Sequence, residues 1–304
     1  MNELFQNYRL RWLTRIVLAC VAWAVAGPVP AATPDTNSAA SLRAKYAALG
    51  EQLTNNQFQR TLVLDSAESS HDLEGDIYAL VDYPFADVNA GFNGPAHWCD
   101  MLILHINTKY CRASTDKAGT VLKVSIGKKY DQPLDEAYRV ELAYRVAEAT
   151  LDYLEVQLNA PTGPMGTSNY RIVLQAVPVD GGRTFLHFTY SYGYGIMGRM
   201  AMQVYLATVG RGKVGFTITG KQPNGQPDYI GGMRGVVERN TMRYFLAIDA
   251  YLGGLATPAP DQLEKRLQNW FTSAERYPRQ LHEVERTVYL DMKRSEYLRQ
   301  QTVQ

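Results

Sequence analysis

The segment Gly232–Leu252, GMRGVVERNTMRYFLAIDAYL, constrains the fold more than any other part of the chain. At helical spacing Met233, Val237, Tyr244, Ile248 and Tyr251 fall along one stripe, with Phe245 and Leu252 beside it. A helix this long and this apolar needs a large apolar surface to bury it. The preceding sequence supplies that surface as strands. LHINTKYC from Leu104, TVLKVSIGKKY, AYRVELAYRV with an extension through Leu158, YRIVLQAVPV, RTFLHFTYSY and GKVGFTITG alternate in polarity or are rich in branched and aromatic residues. Asp180-Gly-Gly is a hairpin signal between two of them, so an antiparallel sheet is expected. Upstream, Arg60–Ser66 and Asp76–Tyr83 add two strands. Ser41–Gln52 spaces Leu42, Tyr46 and Leu49 as a helix, and Pro84 to about Met101 reads as helical with a break at Gly94-Pro95.

The N-terminus reads as a secretory leader. Arg9, Arg11 and Arg15 precede an apolar run, Ile16–Gly27, that is too short to span a bilayer, and Val29-Pro-Ala31 offers a cleavage site. Residues 1–31 are therefore expected to be a signal peptide and 32–39 a linker, with the mature chain periplasmic or secreted; an uncleaved anchor is the alternative. Of the three cysteines only Cys99 and Cys111 remain after the leader. In an oxidising compartment this close pair reads as a disulfide, worth roughly 3 kcal/mol through loop closure. His97, Cys99, His105 and Cys111 lack the compact spacing of a structural zinc site, so no metal is expected. The formal net charge of +1, without a basic stripe, argues against a nucleic-acid partner.

Two strands, a helical segment, a run of antiparallel strands and one long apolar helix, together with DIYALVDYPFADV and Trp98-Cys99-Asp100, resemble the START-like lipid-transfer superfamily over roughly Arg60 to Leu252. The resemblance implies an α+β helix-grip fold, in which a curved antiparallel sheet wraps around the long C-terminal helix and encloses an apolar cavity. On this reading residues 40–255 form the helix-grip domain and 256–304 a helical tail. The tail stripes, Leu263, Leu267, Trp270 and Phe271, then Leu281, Val284, Val288 and Met292, either dock on the body or bind a protein partner. Ile196–Val209 departs from the family pattern as a helix inserted late in the chain.

Candidate site residues follow from the expected cavity. Gly193, Gly195 and Gly198 match the dinucleotide fingerprint in spacing, but the strand before them belongs to an antiparallel hairpin and GKVGFTITG offers no acid for a ribose. No cofactor is expected, and these glycines read as an exit from the sheet into the inserted helix. Ligand contacts are expected from Trp98 at a pocket mouth, Tyr190 on the apolar face of its strand, Met197 and Met200 on the inserted helix as a lid, and Asn240 and Tyr244 on the long helix. Glu238, Arg239 and Arg243 form a polar cluster. It either fixes a ligand's polar group or is a structural network in which Glu238 pairs with Arg234 or Arg243. His105 is placed outside the cavity because alternation in LHINTKYC puts it on the face of Cys111. No G-x-S-x-G elbow or nucleophile beside a base is found, and no catalytic residue is assigned. The expected function is binding or transfer of a lipid or other hydrophobic small molecule, with transient membrane contact. The alternatives are a cell-envelope enzyme of cyclase or hydrolase type using the same cavity, and an envelope assembly factor acting through the tail.

Overall fold

The computed structural model describes residues 38–208 and 210–302. The expected leader and nearly all of the linker lie outside the described residues. Helix α1 (Ala39–Leu49) is capped by the Ser38 hydroxyl, which accepts the Ser41 N–H at 3.2 Å. Strands β1 (Leu62–Glu68) and β2 (Asp72–Val81) form a hairpin. Helices α2 (Phe85–Phe92) and α3 (Pro95–Leu102) are separated at Gly94, with Pro95 opening α3, where its missing N–H costs nothing. Six strands follow: β3 (Thr108–Asp116), β4 (Gly119–Ile126), β5 (Tyr138–Ala149), β6 (Leu154–Thr162), β7 (Thr167–Val179) and β8 (Arg183–Tyr194). Helix α4 (Ile196–Ala207) and a ribbon of β9 (Ile218–Lys221) and β10 (Pro227–Tyr229) lead into the long helix α5 (Gly232–Leu252). Helices α6 (Ala259–Ala274), α7 (Pro278–Leu281) and α8 (Arg286–Thr302) complete the chain.

Strands β1 to β8 form one antiparallel sheet in the order β1-β2-β8-β7-β6-β5-β4-β3. Each strand from β3 to β8 pairs with the next, and β8 then closes against β2. Gly181 and Gly182 take φ of 78° and 69° between β7 and β8, the left-handed backbone that a tight hairpin requires.

Three expected strands differ. AYRVELAYRV does not run on to Leu158. The Thr150 hydroxyl accepts the Tyr153 N–H at 3.0 Å and turns the chain, so β5 and β6 are a hairpin. Leu151, which sustained the apolar pattern, points into solvent at that turn. GKVGFTITG yields only β9, which pairs with β10 in a separate ribbon instead of joining the sheet. LHINTKYC begins as a turn over Leu104–Asn107, and β3 starts at Thr108.

Alternation gives the sheet two faces. Leu73, Ile77 and Ala79 of β2 and Leu186, Phe188, Tyr190 and Tyr192 of β8 face inward and join Val237, Tyr244, Phe245 and Ile248 of α5 in one core, to which β4, β5, β6 and β7 also contribute. A Cβ at Gly75 of β2 would fall on the Thr241 hydroxyl of α5, so the helix lies close on the strand only because glycine stands there. On the opposite face Tyr153, Val177 and Phe185 bury against Leu42 and Leu49 of α1, with the Tyr46 ring 4.9 Å from Phe185. The fold is an α+β helix grip. Helices α6 to α8 belong to the same compact unit. The Trp270 indole N–H donates to the Arg243 carbonyl at 3.1 Å, its ring stacks on Tyr289 at 4.8 Å, and the Tyr289 hydroxyl donates to the Leu104 carbonyl at 2.8 Å. Cys99 and Cys111 form the expected disulfide, which ties α3 to β3. Among the described residues no helix is long and apolar enough to cross a membrane.

Candidate functional site

Beneath α5 the inner sheet face ends in a cluster of phenols. Alternation along β8 turns Tyr190 and Tyr192 inward, β7 adds Tyr170, and α5 brings Tyr244 down on them. Ring centroids are 5.1 Å apart for Tyr190 and Tyr244, 5.6 Å for Tyr190 and Tyr192, and 5.3 Å for the stacked Tyr170 and Tyr192. Phe188 closes the group at 6.0 Å from Tyr244. Burial pushes the Tyr190 and Tyr244 hydroxyls up, so both stay protonated. The cluster is a packed aromatic layer that carries hydroxyl donors.

His105 lies on the other side of Tyr244, stacked on it at 4.5 Å and almost wholly buried. This corrects its expected place outside the interior: alternation does not apply because residues 104–107 are a turn. Its Nδ1 accepts the Asn107 N–H at 3.2 Å, which leaves the hydrogen on Nε2, and Nε2 has no partner among the described residues. Burial, and then the Arg243 charge, hold its pKa well below the ordinary histidine value. The ring is a neutral donor.

Past His105 the interior becomes cationic. Glu283, on the connection between α7 and α8, receives Arg243 Nη2 of α5 at 2.6 Å, Lys129 Nζ from the β4–β5 loop at 2.6 Å and Lys213 Nζ from the loop after α4 at 3.1 Å. Arg239, one turn before Arg243, donates to the Val214 carbonyl at 3.0 Å and lies within electrostatic reach of Tyr205 of α4. Arg243 Nε, like His105 Nε2, is buried with no partner among the described residues. Burial, followed by the Arg243 charge, pushes the Lys129 ammonium down to about 8.

The structure sorts the expected site residues. Tyr190 and Tyr244 meet in the phenol cluster. Asn240 is half-buried and its Oδ1 accepts Arg243 Nη1 at 3.3 Å, so it belongs with the cations. Trp98 is not at a pocket mouth. It is fully buried, donates its indole N–H to the Phe92 carbonyl at 2.8 Å and packs edge-on against Phe92, because α3 turns this face into the core. Met200 is 56% exposed, in line with Ile196 and Val204 on the outer face of α4, so it does not line the interior. The Met197 side chain lies outside the described residues. Glu238 pairs with neither Arg234 nor Arg243 directly. Its carboxylate accepts the Phe216 N–H at 2.5 Å, the Thr217 N–H at 2.9 Å, and the Thr217 and Ser66 hydroxyls, each at 2.6 Å. Lys129, Lys213 and Glu283 are functional candidates that no sequence pattern marks, since each comes from a different loop. Two concavities, of about 330 Å³ beside Phe58, Phe216, Tyr229 and Tyr277, and about 180 Å³ beside Tyr83, Asp249 and Gln268, contain none of the expected ligand-binding residues.

No family model matches the chain, and no curated protein matches it. Among solved structures it is similar to norcoclaurine synthase from Thalictrum flavum, at 14% identity over 49% of this chain and 80% of that one, with a TM-score of 0.32. CalU16 from Micromonospora echinospora matches at 9% identity over 73% and 98% of the two chains, TM-score 0.30. The di-domain ARO/CYC BexL from the BE-7585A biosynthetic pathway matches at 13% over 86% and 60%, TM-score 0.30. Likeness this distant carries no function across, and the site's own geometry has to supply it.

Proposed function

We propose that this chain is a START-like carrier, secreted or periplasmic, that holds a lipid or other hydrophobic small molecule between the inner sheet face and α5. The phenol cluster of Tyr170, Tyr190, Tyr192 and Tyr244 carries the reading, because it offers aromatic surface for an apolar body and hydroxyls that remain donors. Burial of apolar ligand surface at about 25 cal/mol per Å², less ordering costs, would drive binding. Helix α4 is the element that moves. It shows Ile196, Met200 and Val204 to solvent, has no acidic residue, and reaches the interior through Tyr205. An outward stripe of this kind, with Arg199 beside it, suits transient contact with a lipid surface.

Native mass spectrometry with lipid extraction, on protein purified from a bacterial periplasm, tests the reading. A lipid co-purifying at fixed stoichiometry supports it. A clean apo mass, with no uptake on incubation with lipid, removes it. A second reading, an envelope cyclase or hydrolase, draws on one observation: the neutral His105 donor stands against Tyr244 inside the interior. Turnover abolished by His105→Gln with ligand binding retained would favour that reading over the carrier.

A further inference from the structure

The interior has a polar end whose charges, among the described residues, do not balance. Arg239, Arg243, Lys129 and Lys213 face two carboxylates, Glu238 and Glu283, an excess of two positive charges. Glu238 contributes little toward the other cations, because its oxygens already accept two backbone amides and two hydroxyls. Arg239 and Arg243 are each 2% exposed, so water screens them poorly. Two buried donors here have no partner among the described residues: Arg243 Nε and His105 Nε2, whose groups are close enough for the Arg243 charge to act on the imidazole. Native interiors satisfy nearly all such groups, and a pair of orphan N–H donors amid surplus positive charge lacks an acceptor that is negative. This end is continuous with the aromatic layer. Tyr244 follows Arg243 on α5 and stacks on His105, while its ring also meets Tyr190.

The geometry points to an amphiphile with a single anionic head, a carboxylate or a phosphate monoester, whose head sits among Arg243, His105, Lys129 and Lys213 and whose apolar body lies along Tyr190, Tyr192 and Tyr244. This assignment rests on the carrier reading and names its ligand class. Arg243 Nε and His105 Nε2 would donate to the head's oxygens, and Lys129 and Lys213, the partly exposed members, would guide its approach.

Binding of dodecanoate, dodecanol and inorganic phosphate to the full disulfide-bonded chain tests it by calorimetry at pH 7. Dodecanoate is expected to bind at least about 10-fold more tightly than dodecanol, which has the same tail, and phosphate to compete with dodecanoate. In Lys129→Met and in Lys213→Met the preference for dodecanoate should shrink several-fold while dodecanol affinity holds. Both variants alter partly exposed side chains and are expected to fold; circular dichroism checks this. Equal affinities for dodecanoate and dodecanol, or a preference untouched by both substitutions, would overturn the anionic head while leaving the carrier intact. If neither amphiphile binds but phosphate does, in a Lys129-dependent way, the carrier reading falls and the anion site stands for a free anion. Absence of binding by all three overturns both.

Discussion

Glu238 shows how far residue identity alone can mislead. Its expected partners on the helix are Arg234 and Arg243, and helical spacing invites an ion pair, yet loop 216–217 folds back and takes the carboxylate as its anchor. An amide in its place would turn an N–H₂ toward donors. Glu238→Gln should therefore lower stability by about 3 kcal/mol despite equal size, read as a drop in the urea midpoint with unchanged slope. His105 gives a second residue-scale prediction. Its folded pKa is depressed below the unfolded value near 6.5. Below that pH the unfolded chain takes up a proton that the folded chain resists, so stability is present above about pH 6.5 and is lost as pH falls. Urea midpoints between pH 7 and 5 should decline less in His105→Phe, which keeps an aromatic ring against Tyr244, than in the parent chain. Neither role was legible in the sequence, because both depend on what a loop places opposite the side chain.

At the scale of elements the sequence was far more informative. Helix α5, helix α4, the β7–β8 hairpin and the inward set of β8 all follow from period and turn chemistry, which are local. Errors came where local pattern persisted through a turn: Thr150–Tyr153 is flanked by apolar residues that sustain a strand reading, and Leu104–Asn107 alternates by chance. How closely elements pack is a different matter. Gly75 reads as an unremarked strand residue, but α5 presses Thr241 onto it. Gly75→Ala should cost about 1–3 kcal/mol through overpacking, and Thr241→Ala in the same chain should recover most of that loss. A double-mutant cycle by urea denaturation measures the coupling; additive effects would mean that the helix does not lie on the strand as described.

The whole molecule is closed by α8. Lys109 of β3 and Lys293 and Glu296 of α8 are fully buried, with Glu296 receiving Lys109 at 2.8 Å and Lys293 at 2.7 Å, while Lys293 also donates to the His105 and Thr108 carbonyls at 2.7 Å. Burial pushes the Lys293 ammonium down to about 8, as it does Lys129. Between pH 8 and the unfolded lysine value near 10.4, the unfolded chain holds more protons than the folded one, so stability should rise with pH, by up to about 3 kcal/mol from Lys293. Tyrosines act in the opposite sense: burial pushes Tyr78, Tyr144 and Tyr251 up to about 12, so above about pH 10 the unfolded state gains by ionising them. The urea midpoint should climb from pH 7.5 to 9.5 and fall beyond 10, with the climb reduced in Lys293→Met. A flat profile to pH 9.5 would mean that α8 does not bury its lysine.

By itself the sequence determined most of the elements, the inward face of β8 and the disulfide, because hydrophobic period, turn residues and a close cysteine pair act over a few residues of chain. Only the tertiary structure decided that α6 to α8 join the core, that Trp98 and Met200 leave the site, and that His105, Lys129, Lys213 and Glu283 meet beside Arg243. These groups come from separate loops and helices, and no local preference records which of them will share one buried volume.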